Sequence, residues 1–573
     1  MRKPVVIVVV LAVLAGAGWW WLRPKAVDTS APLAYVPANT PYVMANVEPM
    51  PAALHAVSMR QLGLQRELLG AQWQEAKQAL GKHGEQSKPV LALLEALEAE
   101  FGDKSLEQQL ALLGLDPATM HYAVYGLGLT PVMRIELAKP DALTQTIARV
   151  ETRLGTPLQQ AKVGTQAYWQ IPLGDAPLQV IAAVVGSHLV LSMAARDADE
   201  PTLRSVLGLD PPAQSLLASG GLSALNSEFG FTPSFSGYID SARALDTISG
   251  EMTLADRALW AAVGVAPPKP EPQCQDEYAA LAKAWPRMVF GYTRLDADRV
   301  EALGMMEARP DIAAALMRLR APMPGLRTIT DDTPFNLGFS VNLVELPKVV
   351  TELTGAIEKA PWQCPQLTAL NKAAHDAATQ INNPGLSVAA PLFSGVHAVA
   401  STLDWPADAA IPQFSGRLAI ASANPASLLG MAKSMLPTLG QVQIPDDGSV
   451  VALPEQAGLP IAAPMFAAMQ GNAIALGIGS DEQAGLGAFL ASDPQDQPLL
   501  VAGATGAFYS QFGQWQLRML PPTADAAARE QAERQAALFA ELYPKLFHHA
   551  QMRIDLTARG IEMTQQVVMP QTP

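Results

Sequence analysis

The sequence predicts an α+β protein. An N-terminal transmembrane helix precedes two tandem, duplicated domains of largely antiparallel sheet with packed helices on one face. Three observations point there. Apolar stretches alternating with period two are joined by Gly-containing turns, helical stretches with one apolar face lie between them, and ordered matches recur between the two halves. The 573 residues also exceed by roughly fourfold the ~150 usual for one domain.

The first element is Pro4 to Leu22, which is free of charge between Arg2-Lys3 and Arg23-Lys25. At ~1.5 Å per residue it spans ~28 Å, close to the ~30 Å hydrocarbon core of a bilayer. Trp19, Trp20 and Trp21 cluster at its far end, where indole rings favour the membrane interface. Residues 1–25 therefore read as a signal-anchor, with cleavage after Ala15-Gly16-Ala17 as the competing reading. Either way the body is exported. Arg2, Lys3 and the amino group favour a cytoplasmic short end, so the body is expected on the periplasmic side of a bacterial inner membrane.

The first copy is read at 33–308. Val43, Ala45 and Val47 alternate with Tyr42, Met44 and Asn46 as a strand. Helical stretches follow at 60–81 and 88–100, the second with Leu91, Leu93, Leu94 and Leu97 on one face. Strands are expected at 122–125 and 132–137. Pro140 then opens a helix that Gly155 ends. Strands at 167–171 and 180–193, the latter turned at Gly186-Ser187, read as hairpin partners. Two helices, the second ending at Phe229-Gly230, lead to a strand near 235–239. A further helical stretch within 242–273 runs into PPKPEPQ, a stiff extended run.

The second copy is read at 325–570, with a strand at 417–420, a helix at 425–439 and a hairpin at 465–478 turned by Gly471-Asn472. A long helix at 524–543 is barely three heptads, so it reads as ordinary packing with one solvated face. Two alignments support the duplication. Gln214–Gly230 matches Gln497–Gly513 at eight of 17 positions, 283 residues apart. Upstream, Pro140, Gly155, Gly186 and Leu191 face Pro425, Gly440, Gly471 and Leu476 at an offset of 285. Thr40-Pro41 and Asn46 likewise face Thr333-Pro334 and Asn342.

Composition limits the partners. The net charge is −14, and the basic residues flanking the apolar segment belong to the anchor, so the body is more acidic still. Such a body repels nucleic-acid phosphates. Cys274 and Cys364 are the only cysteines. An oxidising compartment lets them bond, stapling the end of copy one to the start of copy two. Two buried free thiols are the alternative.

Catalytic and cofactor signatures are thin. No Gly-x-Ser-x-Gly, His-Glu-x-x-His or Walker loop occurs. Gly126-Leu127-Gly128 and Gly477-Ile478-Gly479 lack the third glycine of a dinucleotide fingerprint and read as hairpin or bulge positions. His548-His549 would point to opposite faces of a strand, which disfavours joint metal ligation. His188 has Ala473 as its counterpart, which speaks against a duplicated site. His375-Asp376 are helix neighbours that do not face each other. Asp331-Asp332 and Asp446-Asp447 read as surface turns. No catalytic residue, cofactor or metal is assigned. The methionines, among them Met305, Met306, Met317, Met323, Met465 and Met469, suit irregular cores, and they equally suit a sheet face that holds an acyl chain or extended peptide.

LAYVPANTPYVMANVE at Leu33–Glu48, YGLGLTPVMRIELAKPDAL at Tyr125–Leu143 and Phe235-Ser-Gly-Tyr238 resemble a group of uncharacterised proteobacterial signal-anchored envelope proteins. The resemblance implies an exported, membrane-tethered protein and supplies no functional residue. The first functional expectation is a non-catalytic scaffold or interaction module of the envelope, with a protein partner. The second is a carrier for a lipid or other apolar ligand. The third is a hydrolase whose site assembles from distant segments, with His188 or His397 beside a hydroxyl and a carboxylate.

Overall fold

The computed structural model describes residues 31–55, 88–173, 176–250, 252–264, 272–381, 390–404, 413–454, 463–521 and 523–570, together with positions 59, 63 and 385. The anchor at 1–25, the helical stretch at 60–81 and most of the Pro-rich run lie outside these residues. Among the described residues no helix is long and apolar enough to cross a membrane.

In the first half, β1 (Tyr42–Ala45) is followed by α1 (Lys88–Phe101) and α2 (Leu106–Leu112), then β2 (Tyr122–Leu127), β3 (Thr130–Glu136) and α3 (Pro140–Leu154). A meander of β4 (Gln159–Val163), β5 (Gln166–Pro172), β6 (Leu178–Val185) and β7 (His188–Ala195) comes next. Helices α4 (Glu200–Leu207), α5 (Leu216–Ser219) and α6 (Gly221–Phe229) lead to β8 (Ser236–Asp240). Then come α7 (Ser241–Ser249), α8 (Leu254–Ala262), α9 (Pro272–Ala284), β9 (Arg287–Leu295), β10 (Arg299–Glu307) and α10 (Pro310–Met317).

The second half runs β11 (Phe335–Ser340), α11 (Leu346–Lys359), α12 (Thr368–Ile381), β12 (Gly395–Asp404), β13 (Gln413–Ala421) and α13 (Pro425–Met435). It continues with β14 (Val451–Ala452), β15 (Met465–Gln470), β16 (Ala473–Ile478), α14 (Leu486–Phe489), β17 (Leu500–Thr505), α15 (Gly506–Met519), α16 (Ala526–Leu546), β18 (His549–Thr557) and β19 (Gly560–Val568).

The 19 strands among the described residues join one sheet. The pairings order it β4-β5-β6-β7-β3-β2-β1-β8-β9-β10-β19-β18-β17-β11-β12-β13-β16-β15-β14, every neighbour antiparallel. The α+β class and the antiparallel sheet are as the sequence predicts. The halves do not form separate sheets, because β10 pairs with β19 from Arg299↔Val568 to Glu307↔Gly560. Counted outward from that junction, the nine strands β10, β9, β8, β1, β2, β3, β7, β6, β5 repeat the connectivity of β19, β18, β17, β11, β12, β13, β16, β15, β14. Leu303↔Thr564 lies at the centre of the junction.

The registers distinguish the two sequence alignments. At the 285 offset, Val132↔Ser192 becomes Arg417↔Gly477, itself a pair. Gly186 and Gly471 turn equivalent hairpins at φ 60° and 56°, a conformation open to glycine. At the 283 offset the match is mixed: α5 faces β17, a helix against a strand, whereas α6 faces the first turns of α15, helix against helix. The strand equivalent to β17 is β8, and both end on a helix N-cap, Asp240 accepting from the Arg243 amide and Thr505 from the Phe508 amide. Leucine and glycine identities had matched a helix to a strand.

A correction concerns the layers, since helices and loops pack on both faces. Leu203, Val206, Leu207, Leu222 and Leu225 cover Val43, Ala45, Tyr125, Ile181 and Val190 in the first half. In the second half Leu486, Phe489 and Leu490 cover Val399, Ala419 and Ala475 on the corresponding face, while α13 lies over the opposite one. The predicted helix at 425–439 ends at Met435, followed by a 3-10 turn at Pro437–Leu439.

Candidate ligand-binding face

The face opposite those two cores is built by strict alternation. In β18, Ala550, Met552, Ile554 and Leu556 point one way and Gln551, Arg553 and Asp555 the other. Cross-strand pairs extend the apolar side of β18 through its neighbours. Outward through the second half, Ile554 pairs with Leu500, Leu500 with Phe339, Phe339 with Val396, Val396 with Ile420, and Ile420 with Ile474. In the other direction Ile554 pairs with Met563, Met563 with Gly304, Gly304 with Phe290, Phe290 with Gly237, and Gly237 with Met44. From Met44 the row continues through Val124, Met133, Leu191 and Ala182 to Trp169.

With Met469 beyond Ile474, this single row crosses every strand from β15 to β5 without a polar residue. At ~4.8 Å between strands it is roughly 75 Å long. No charged side chain points from this face on any of those strands.

An antiparallel sheet commonly buries its apolar face and wets its polar one. The central strands depart from that pattern. Their polar face carries ion pairs, Arg287–Glu307 at 2.5 Å, Arg559–Glu307 at 2.9 Å and Arg553–Asp555 at 2.6 Å. Their apolar face is open along its middle, where Met288, Met306 and Met563 are each about two-fifths exposed, as are Phe339 and Ile239, while Leu556 and Ala504 on the same face are buried and Phe335 stacks on Phe508 of α15. Of the 17 large apolar side chains exposed among the described residues, eight stand on this face, the other three being Met44, Leu337 and Phe414. Exposed apolar area concentrated on one surface marks an interaction site, whereas scattered single residues do not.

The face is roofed where α13 crosses it. Leu418 and Ile420 of β13, Ile474 and Leu476 of β16, and Leu428 and Leu429 of α13 bound a cavity of about 220 Å³. Among the described residues, Lys433, in the last turn of α13, is the only charged one lining it.

The residues singled out in sequence are scattered. Cys274 on α9 and Cys364, between α11 and α12, stand at disulfide distance with Cα atoms 5.0 Å apart. They pack among Tyr278, Leu367, Leu245 and Trp362. Gly126 and Gly128 belong to the β2–β3 hairpin, Gly128 at φ 62°. Beside it Asp256 is buried, accepting from the Leu129 amide, the Thr130 amide and hydroxyl, and the Thr253 hydroxyl. Gly479 takes φ 106° at the end of β16.

His188 lies edge-on to Tyr35 and near Arg134, whose guanidinium stacks on Tyr35 and donates to the Leu207 carbonyl at 2.7 Å. His548 pairs with Asp332 at 2.8 Å while its neighbour His549 is buried, the opposed orientation expected of strand neighbours. Asp376 pairs with Lys372, Asp331 pairs with Arg299, and Asp447 accepts from the Ser449 amide in a turn. Met305, Met323, Met465 and Met469 are buried, and Met306 is on the open face.

His397 is buried against Phe489, with Nδ1 2.7 Å from the Pro324 carbonyl. Burial holds its pKa below the ordinary histidine value, outweighing the Pro324 contact that acts upward. Burial also lowers His549, against the upward pull of Asp331. Both rings fold neutral and bind protons more readily when unfolded, so their contribution to stability is complete above about pH 6.5 and is lost as pH falls. Unfolding free energy measured by urea titration should therefore decline between pH 7.5 and 5.5, by at most ~1.4 kcal/mol per pH unit for each ring. His397→Gln should flatten the slope; an unchanged slope would remove His397 from the account.

Among the described residues no group of three or more His, Cys, Asp or Glu could hold a metal. Comparison with protein-family models, curated proteins and solved structures finds no match for this chain.

Proposed function

We propose that the chain is a membrane-anchored, exported protein of the bacterial envelope whose two duplicated domains together bind hydrocarbon chains of lipids along the open face of their shared sheet. The apolar row from β5 to β15 carries this reading. It is continuous, it is exposed at Met44, Met563 and Phe339, and it offers no charged group to a partner. A protein interface of ordinary composition makes roughly one hydrogen bond per 100–200 Å², whereas an acyl chain needs none. The methionines at its centre adapt to guests of irregular shape. The row is more than twice the ~30 Å thickness of a bilayer core, so it has room for several chains. The repeated connectivity and the 285 offset support the duplication, and the uncharged stretch at Pro4–Leu22 supports the anchor. The carrier reading thereby overtakes the scaffold reading.

Photo-crosslinking in cells tests this with the full chain. A benzophenone amino acid placed at Met563 or Phe339 should yield adducts of lipid mass. At Thr564, the next residue but on the other face, it should not. Protein adducts at Met563 and Phe339 in place of lipid would sink the proposal and restore the scaffold reading.

A further inference from the structure

From the roofed end of the face we infer that the cavity beneath α13 takes one acyl chain bearing an anionic head group, and that Lys433 pairs with that head. The inference rests on the lipid-binding reading and specifies the ligand class at one end of the site. Among the described residues the cavity lining is apolar except for Lys433. At about 220 Å³ it exceeds the ~150 Å³ apolar cavity that admits benzene and stays free of water. A chain end seated there is continuous with the open face, because Leu418 pairs with Ala398 and Ala398 with Leu337.

Lys433 is half-buried at the rim, and among the described residues it has no salt-bridge partner. Its hydrocarbon stem can line the pocket while its ammonium group faces outward. Met431 and Met435 on the same helix are exposed, Met435 by 75%. A neutral or cationic head would leave the ammonium group without a counter-charge at this position. A carboxylate or phosphate supplies one, at a site partly withdrawn from water where ionic pairing is less screened.

The full chain in zwitterionic nanodiscs, with protein-free nanodiscs as the blank, is titrated with cis-parinaric acid and with its methyl ester. The acid should bind about fivefold more tightly than the ester. Lys433→Met should remove that difference by weakening the acid alone, and Lys433→Arg should retain it. Ala432→Phe, which fills the cavity, should abolish saturable binding of both probes with the thermal midpoint within a few degrees of wild type. Displacement by stearate and by lysophosphatidylglycerol then separates a carboxylate from a phosphate head. Equal affinity for acid and ester in wild type, or a loss of both in Lys433→Met, overturns the role of Lys433 while leaving acyl binding intact. Binding unaffected by Ala432→Phe overturns the cavity as the site. Absence of binding by either probe, together with absence of lipid adducts at Met563, overturns both readings.

Discussion

Reducing the Cys274–Cys364 pair is expected to lower the stability of the folded chain by about 4 kcal/mol. The two residues are 90 apart in sequence, and closing a loop of that length removes ~4.6 kcal/mol of chain entropy from the unfolded state. Native geometry receives the bond. Glu277, one turn along α9 from Cys274, accepts from the amides of Gln363 at 2.7 Å and Cys364 at 2.8 Å. That fixes the approach of the two segments independently of sulfur chemistry. The halves are thus held together at the β10–β19 ladder and again at this helical contact. The urea midpoint should fall on reduction, and by a similar amount in Cys274→Ser/Cys364→Ser. The oxidised, denatured chain should contain no alkylatable thiol. Two alkylatable thiols in that chain would show that the pair is not bonded in solution.

The strands were the most legible part of the fold, because alternation reports directly on a two-faced element. Met552-Arg553-Ile554-Asp555 and Ile561-Glu562-Met563-Thr564 declare their apolar side without a structure. What alternation cannot report is whether that side is covered, and exposure is what turns these residues into a candidate site. Along the 285 offset, Pro140 and Gly186 share backbone roles with Pro425 and Gly471, the first turn of a helix and a hairpin turn at positive φ. The 283 offset failed at α5 because leucine, alanine and glycine serve α5 and β17 equally well. Strand β4 was missed: Gln159-Gln160-Ala161-Lys162-Val163 sits at the sheet's edge, where burial imposes little pattern. Lys433 carried no signal either. A lysine in the last turn of a helix is ordinary, and only the apolar cavity around it sets it apart.

Asp256→Ala should destabilise the protein by about 3–5 kcal/mol, the range for removing a buried, multiply hydrogen-bonded charged group. Asp256 is 2% exposed. It lies in the first turn of α8, whose N-cap Thr253 accepts from the Asp256 amide and donates its hydroxyl to the carboxylate. The same carboxylate reaches 126 residues back to the β2–β3 turn, taking the amide and hydroxyl of Thr130 at 2.9 and 2.8 Å and the Leu129 amide at 3.1 Å. An alanine leaves those donors buried without an acceptor, and no side chain at 256 then joins the helix to the hairpin. Asp256→Asn keeps the shape and one acceptor oxygen, so it should cost less, about 2 kcal/mol. Gly128 makes a complementary test, since a Cβ there would lie 1.7 Å from Asp256 Oδ2 on a backbone already at φ +62°. Gly128→Ala should therefore be destabilising on its own. Combined with Asp256→Ala it should cost less than the sum of the two single changes, because the clash is removed with the carboxylate. Strict additivity in that double-mutant cycle would mean that the hairpin turn and α8 are held together by something other than Asp256.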